Sequence, residues 1–292
     1  MICVTGASSV ALGPHDPKTL EPTEFLRAKK TRKFMGTQDD LAVISAGRAL
    51  AQAGLGAERL AERAGLFAVV GYIPFNREDI DPVLTESLEG ERFSMQRFSS
   101  GGFQQAHPLL TFRCLPNMPA FHVSANFDLQ GPYFVSYPGA GQVYAALEEA
   151  VSSLNDESID VAVLVAVAHQ RNFLVEHHFG RITPPVAAAE LWDAGACLVL
   201  ERADFARARG AKLRAELLGM QQHYEPHDAL TQEFAGNETL SGVARPPGER
   251  GPALLFTALA EAVGGSAAAL ELVHRVQTRD HVSAQSRWRV LS

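Results

Sequence analysis

Apolar positions along the chain change period, and the sharpest change lies near its middle. Val143, Ala146, Leu147, Ala150, Val151 and Leu154 recur at i, i+3 and i+4, which predicts a helix with one face packed inward. Just upstream, Tyr133 to Ser136 is a short β-rich run. It enters Pro138-Gly139-Ala140-Gly141, whose glycines permit turns and close approaches that side chains forbid. Strand, sharp turn and helix in this order describe a nucleophile elbow, which lifts one residue to a helix N-terminus where backbone N–H groups favour negative charge. After Gly219 the chain turns polar and rich in Pro and Gly, through Pro226, Gly236, Gly242, Pro246, Pro247 and Gly248, which predicts a long loop. An apolar helix from Pro252 to Val263, a second from Ser266 to His274 and a strand from Ser286 to Leu291 are expected beyond it. Ile73 to Pro108 shows no clear period and is rich in Phe, Ser, Gly and acids; Phe93, Phe98 and Phe103 there either meet a partner, line a tunnel or form a satellite core.

Composition narrows the class without changing this layout. With 46% hydrophobic and 20% charged residues the chain is an ordinary globular protein, long enough for one large core or two small ones. No apolar run reaches the roughly eighteen residues of a membrane span. The amino terminus reads as a strand rather than a basic and apolar leader, so a cytoplasmic location is expected. A net charge of −7 argues against general nucleic-acid binding. Cys3, Cys114 and Cys197 lie in apolar, strand-like contexts and are expected as buried thiols, neither paired nor metal-bound. Pro226 separates His223 from His227, and His177 and His178 are adjacent, so neither pair has the geometry of a metal site. Thr5-Gly-Ala-Ser-Ser9 is similar to the opening of a short-chain dehydrogenase, but Val10 and Ala11 stand where glycines are needed, and no Tyr-x-x-x-Lys pair follows. No cofactor is expected.

A longer series of motifs carries a family resemblance. It runs through Ile2-Cys-Val-Thr-Gly6, Asp40 to Gly54, Leu115 to Ser124, the Gly131-Pro132 turn, Ile159 to Ala168, Asp193-Ala-Gly-Ala-Cys-Leu-Val-Leu-Glu201, Ala203 to Gly210 and Ala211 to Gly219. In order and spacing these segments resemble the amino-terminal half of a β-ketoacyl synthase of the thiolase-like superfamily. The resemblance implies a layered, thiolase-like α/β fold. Its amino-terminal half, residues 1–219, would be intact; a polar linker would occupy 220–251, and 252–292 would be a reduced remnant of the second half, completing the same domain and closing a sheet edge.

The departures from that family concern its chemistry. Matching Gly131-Pro132 without gaps puts Ala140 at the position of the family's catalytic cysteine, and a methyl group can neither be acylated nor form a thiolate. A shift of two residues would put Gln142 there, as in decarboxylating relatives, but the helix downstream then loses register. The family's two histidines sit in His-Gly-Thr and Gly-His contexts, and the sequence holds no His-Gly or Gly-His dipeptide. Its lysines are Lys18, Lys29, Lys30, Lys33 and Lys212, none at the place of the family's conserved lysine.

The family includes chain-length factors, inactive partners of an active ketosynthase in type II polyketide and polyene systems, aryl polyene pathways among them. The resemblance therefore implies a noncatalytic subunit, heterodimeric with an active ketosynthase and serving an acyl carrier protein. In the family the strand before the nucleophile, here Tyr133, Phe134, Val135 and Ser136, joins its counterpart across the dimer axis. Phe134, Tyr137 and Tyr144 are then candidates to reach the partner's acyl tunnel, or else plain interface or core aromatics. Arg27, Lys29, Lys30, Arg32 and Lys33 form the dense basic run of the sequence and are read either as a solvated face before a helix capped by Thr37 or as a docking patch for the carrier protein. Two other classes stay open: an acyltransferase or hydrolase using another nucleophile such as Ser136, and a homodimeric acyl-binding scaffold.

Overall fold

The computed structural model describes residues 1–17, 19–56, 60–182, 184–224, 237–265, 270–278 and 281–291. The chain runs β1 (Ile2–Leu12), α1 (Thr37–Ala53), β2 (Ala64–Val70), α2 (Arg77–Glu86), β3 (Leu88–Glu89), β4 (Arg92–Phe93), α3 (Met95–Ser100), α4 (Leu110–Cys114) and α5 (Met118–Phe127). It continues through β5 (Tyr133–Ser136), α6 (Gln142–Asn155), β6 (Val161–Ala168), α7 (Phe173–Arg181), β7 (Asp193–Arg202), α8 (Ala203–Ala208), β8 (Ala215–Tyr224), β9 (Asn237–Ser241), α9 (Leu254–Gly264), β10 (Leu270–Gln277) and β11 (Val282–Val290). One sheet takes nine strands in the order β5-β2-β6-β7-β1-β8-β11-β10-β9. The pairs β5/β2 and β2/β6 are parallel and the rest antiparallel.

Layering explains the apolar runs. β6 is Val-Ala-Val-Leu-Val-Ala-Val-Ala and buried throughout, as a strand covered on both faces must be. One face packs on α1 and α5 through Leu41, Val43, Leu50 and Val123; the other packs on α6 and α9 through Leu147, Leu154, Leu255 and Phe256. Each such side chain contributes about 1.5–3 kcal/mol on burial. Helix α1 lies unusually close to the sheet because Gly6 and Gly195 face it: a Cβ on Gly6 would collide with the Ala49 carbonyl, and one on Gly195 would come within 2.8 Å of Leu41 Cβ. The helix starts after Gly36, whose N–H donates to Asp39 Oδ2 at 2.7 Å, so Thr37 is its first residue rather than its cap.

Strands β8 to β11 alter the expected second half. The segment 220–251 is not all loop: Met220–Tyr224 continue β8, and Asn237–Ser241 form β9. Leu270 to His274 belong to strand β10, not to a helix, because Leu272, His274 and Val276 alternate inward while Glu271, Arg275 and Gln277 face out. The inward residues of β11, Ala284, Ser286, Trp288 and Val290, complete that surface against α6 and α9. β8 pairs with β1 only at its start, Cys3 opposite Glu216 and Val4 opposite Ala215. Helix α9 lies where the Pro252 to Val263 pattern puts it. The segment Ile73 to Pro108 holds α2, α3 and the β3/β4 hairpin; Phe93, Phe98 and Phe103 meet in series, tilted and then edge to face, with centroids 5.8 and 6.0 Å apart, and Phe93 and Phe103 stay exposed. Cys3 and Cys197 are buried in strands, whereas Cys114 ends α4 half-buried and not in a strand. His227 lies outside the described residues.

Candidate functional site

β5 passes through Tyr137, Pro138, Gly139, Ala140 and Gly141 into α6, which begins at Gln142. The turn is closed by the Gln142 N–H donating to Gly139 O at 3.1 Å, Val143 N–H to Ala140 O at 3.3 Å and Tyr144 N–H to Gly141 O at 3.1 Å. Strand, turn and helix thus follow one another as expected, with Ala140 half-buried in the turn. Ala140 packs with Val282 against Tyr144, Val276 and Ala284, and a Cβ on Gly141 would come within 2.9 Å of Thr278 Cγ2. The β10/β11 hairpin therefore lies on the elbow. The three thiols sit elsewhere, and burial pushes Cys3 up to about 11 and Cys197 higher still, so both stay protonated.

A buried polar chain ties the elbow helix to that hairpin. The Tyr144 hydroxyl lies 2.8 Å from His274 Nδ1, 3.1 Å from Ser286 Oγ and 3.2 Å from the His274 carbonyl, with the two rings stacked at 5.8 Å. Trp288 Nε1 donates to Ser286 Oγ at 3.0 Å, and His274 Nε2 meets Glu238 Oε1 at 2.9 Å. Tyr144 is 0% exposed and burial raises its hydroxyl pKa, so it is a neutral hydrogen-bonding group within its own chain, not a residue that reaches a partner. Phe134 likewise packs against the core cluster of α6. Val135 is half-buried, and Ser136 is buried with its hydroxyl donating to the Gln142 carbonyl at 3.4 Å rather than to an imidazole. Of the aromatic candidates at the strand, Tyr133 at 76% exposure and Tyr137 at 50% face solvent.

β5 is an outer strand of the sheet. The Leu66 N–H donates to the Pro132 carbonyl while Leu66 pairs opposite Tyr133, so the backbone groups of Tyr133 and Val135 turn to the open side. Among the described residues no strand pairs there. In the basic run, Arg32 is committed to Asp40 at 2.8 Å and Arg27 to Asp128 at 3.5 Å, whereas Lys29, Lys30 and Lys33 are exposed along a short 3-10 turn, Lys33 over the Phe34 ring.

Beside the elbow opens a cavity of about 540 Å³, lined by Pro138, Gly139 and Ala140, by Tyr72 and Gln170 at the ends of β2 and β6, by α7 and by the segment from Glu238 to Pro252. The loop carrying Gln170 is clamped by Asp193: Oδ1 accepts from the Arg171 N–H and lies 2.9 Å from His169 Nδ1, and Oδ2 accepts from Arg171 Nε at 2.8 Å. Burial disfavours the Asp193 charge, yet His169 and Arg171 outweigh it and hold the carboxyl below its usual range. Across the cavity burial first, and then the neighbouring charge of Glu238, raise Glu249 to about 7. Neither Gln170 nor Glu249 stood out in the sequence; the one available signal was the polar run His169-Gln170-Arg171-Asn172 directly after an all-apolar strand.

The layered sheet, the elbow and the order of elements define the thiolase-like ketosynthase fold. The sequence matches the β-ketoacyl synthase N-terminal domain over residues 5–187, and the chain belongs to that family. No curated protein sequence matches it significantly. Among solved structures it is similar to the ketosynthase of a type II polyketide assembly, AntDE, captured with its acyl carrier protein AntF, at 14% identity and TM-score 0.60, covering 77% of this chain and 69% of that one. A β-ketoacyl synthase from Burkholderia phymatum STM815 gives 19% identity and TM-score 0.55, covering 77% and 64%. The ishigamide ketosynthase/chain length factor gives 20% and 0.56, covering 76% and 63%. The chain thus spans about two thirds of the length of these chains, and the likeness is one of fold. Among the described residues no helix is long and apolar enough to cross a membrane.

Proposed function

We propose that this chain is a noncatalytic ketosynthase-like subunit of the chain-length-factor kind, which pairs with an active β-ketoacyl synthase in the cytoplasm and shapes the acyl tunnel of the pair. The observation that supports the reading is the turn itself: it joins strand to helix, it carries Ala140 and no nucleophile, and the chain's own hairpin packs on it. An elbow without a nucleophile cannot hold an acyl group covalently, whatever stands around it. The cysteine and both histidines then come from the partner. The open side of β5, flanked by exposed Tyr133 and Tyr137, is the surface offered for pairing, and Lys29, Lys30 and Lys33 offer a weak docking patch to an acidic carrier protein. The serine-nucleophile alternative loses its support because the Ser136 hydroxyl faces a carbonyl.

Co-expression with active β-ketoacyl synthases, followed by mass measurement in solution and a carrier-protein elongation assay, tests the reading. A one-to-one complex that elongates, and stops only when the partner's cysteine is removed, is the expected result. A stable homodimer that ignores every ketosynthase offered would overturn it in favour of the scaffold reading.

A further inference from the structure

The outer face of β8, β11, β10 and β9 carries a positive charge that no described carboxylate answers. Register sets Gln221, Gln285, Arg275 and Thr239 side by side across the four strands, and the next row holds His223, Gln277 and Asn237. Alternation turns these side chains away from α6 and α9, and together they line a hollow of about 260 Å³. Arg275 Nε donates to Gln285 Oε1 at 2.7 Å. That bond orients the guanidinium along the row and leaves its two Nη groups and the Gln285 amide N–H groups as donors. The other arginines of this face are committed: Arg287 pairs with Glu271 at 2.9 Å and Arg289 with Glu216 at 3.1 Å. Among the described residues Arg275 enters no ion pair, and no carboxylate lines the hollow.

We propose that this hollow binds a phosphate group, inorganic or carried on a small molecule, with the Nη groups of Arg275 as its anchor and the amides and hydroxyls around it as further donors. Charge selects an anion. The chain as a whole carries −7, yet the ionisable side chains lining this concave wall are Arg275 and His223, and a concave wall focuses their field. Shape selects an oxyanion, because the guanidinium fork matches two oxygens on one centre with two parallel N–H···O bonds. The surrounding donors select phosphate. A carboxylate would fill the fork and leave Gln221, Thr239 and Gln277 without an acceptor, whereas a phosphate brings a further oxygen and more negative charge to meet them. The volume lies below that of pockets for drug-sized ligands, so whatever carries the phosphate is small.

Isothermal titration of the purified full chain at low ionic strength with inorganic phosphate, glycerol 3-phosphate and acetate tests this without any ketosynthase present, so its outcome is separate from that of the pairing function. At least one of the two phosphates is expected to bind below about 1 mM and about tenfold more tightly than acetate. Inorganic phosphate binding as tightly as glycerol 3-phosphate, or more so, assigns the site to the free ion; tighter binding of glycerol 3-phosphate assigns it to a carried phosphate. Arg275→Leu is expected to remove about tenfold or more of the phosphate affinity. Arg289→Leu, the same loss of charge outside the hollow, is expected to change it by less than about twofold. Acetate binding as tightly as phosphate, equal losses in the two variants, or no binding at all overturns the proposal. The comparison of anions on the unaltered chain decides the matter even where a variant fails to fold.

Discussion

Replacing Tyr144 by Phe isolates the polar chain that seats the hairpin on the elbow. The substitution keeps the ring, its stacking on His274 and its packing against Val276 and Ala284, and removes one hydroxyl. Ser286 Oγ still receives Trp288 Nε1, and His274 Nε2 still meets Glu238, so the group left bare is His274 Nδ1. A buried polar atom stripped of its partner costs about 1–3 kcal/mol, and a loss of about 2 kcal/mol is expected here. With a urea slope near 3 kcal/mol/M, the upper part of the usual range and apt for a chain of this size, the midpoint falls by roughly 0.7 M. Trp288 is fully buried inside the same network, so tryptophan fluorescence, measured in a Trp192→Phe background that leaves Trp288 as the single tryptophan, reports the region. Tyr137→Phe is the control; half-exposed, that residue is expected to move the midpoint by less than about 0.2 M. A double-mutant cycle with Ser286→Ala should give a coupling of at least about 0.5 kcal/mol. If Tyr144→Phe and Tyr137→Phe unfold together with the unaltered chain, the buried network is not what holds the hairpin, and the account of Tyr144 fails.

Three further outcomes follow. Val135→Pro, which removes a donor from the open side of β5 and leaves the β2 ladder in place, should abolish complex formation in gel filtration while the isolated chain keeps its far-ultraviolet spectrum; a complex that survives would show that pairing lies elsewhere. Ala140→Cys should give no elongation by the chain alone, because the hairpin still covers the apex and no family histidine is present; measurable product would refute the degenerate-elbow reading. His122 is buried with Nε2 unpartnered, and burial lowers its pKa to about 4. The folded state then binds fewer protons than the unfolded chain between about pH 6.5 and 4, so stability is full above 6.5 and falls as pH drops, by about 3 kcal/mol in all. Asp39 and Asp40, raised by burial, act in the opposite direction over an overlapping window, so the test is the difference from His122→Leu: the unaltered chain should lose ground steadily from pH 7 to 4, and parallel profiles would exclude the effect.

The elbow was legible in the sequence because its physics is local. Glycines, a β-rich run and a 3.6-residue period lie within one short segment, and β5 and α6 follow them closely. β6, an unbroken apolar run, and β7, an apolar run between Asp193 and Glu201, were legible as segments that carry the family resemblance. The second half was not, because its inward positions include His274 and Ser286, buried polar residues that satisfy each other through Tyr144 and so break the alternation that marks a strand. Tyr144 was misplaced by that omission: without the strands, an aromatic just after the elbow looks free to reach a partner. Gln170 and Glu249 were out of sight altogether, since they come to line one cavity only through the packing of the chain around Gly251 against Ala168 and Gln170.

The hairpin on the elbow also sets the order of events when the chain folds. Tyr144 meets His274 across 130 residues of sequence and Ser286 across 142, and β1 finds β7 only after a separation near 198. Pairings of such span are slow, because each closes a long loop before it gains anything. During synthesis Tyr144 must therefore wait without its partners until β10 and β11 have emerged, while the rest of the inner face of α6 is covered by β2 and β6. The hydrogen-bonded seat of the elbow helix is thus among the last contacts of the chain to form, although the helix and its turn are the most local signal in the sequence.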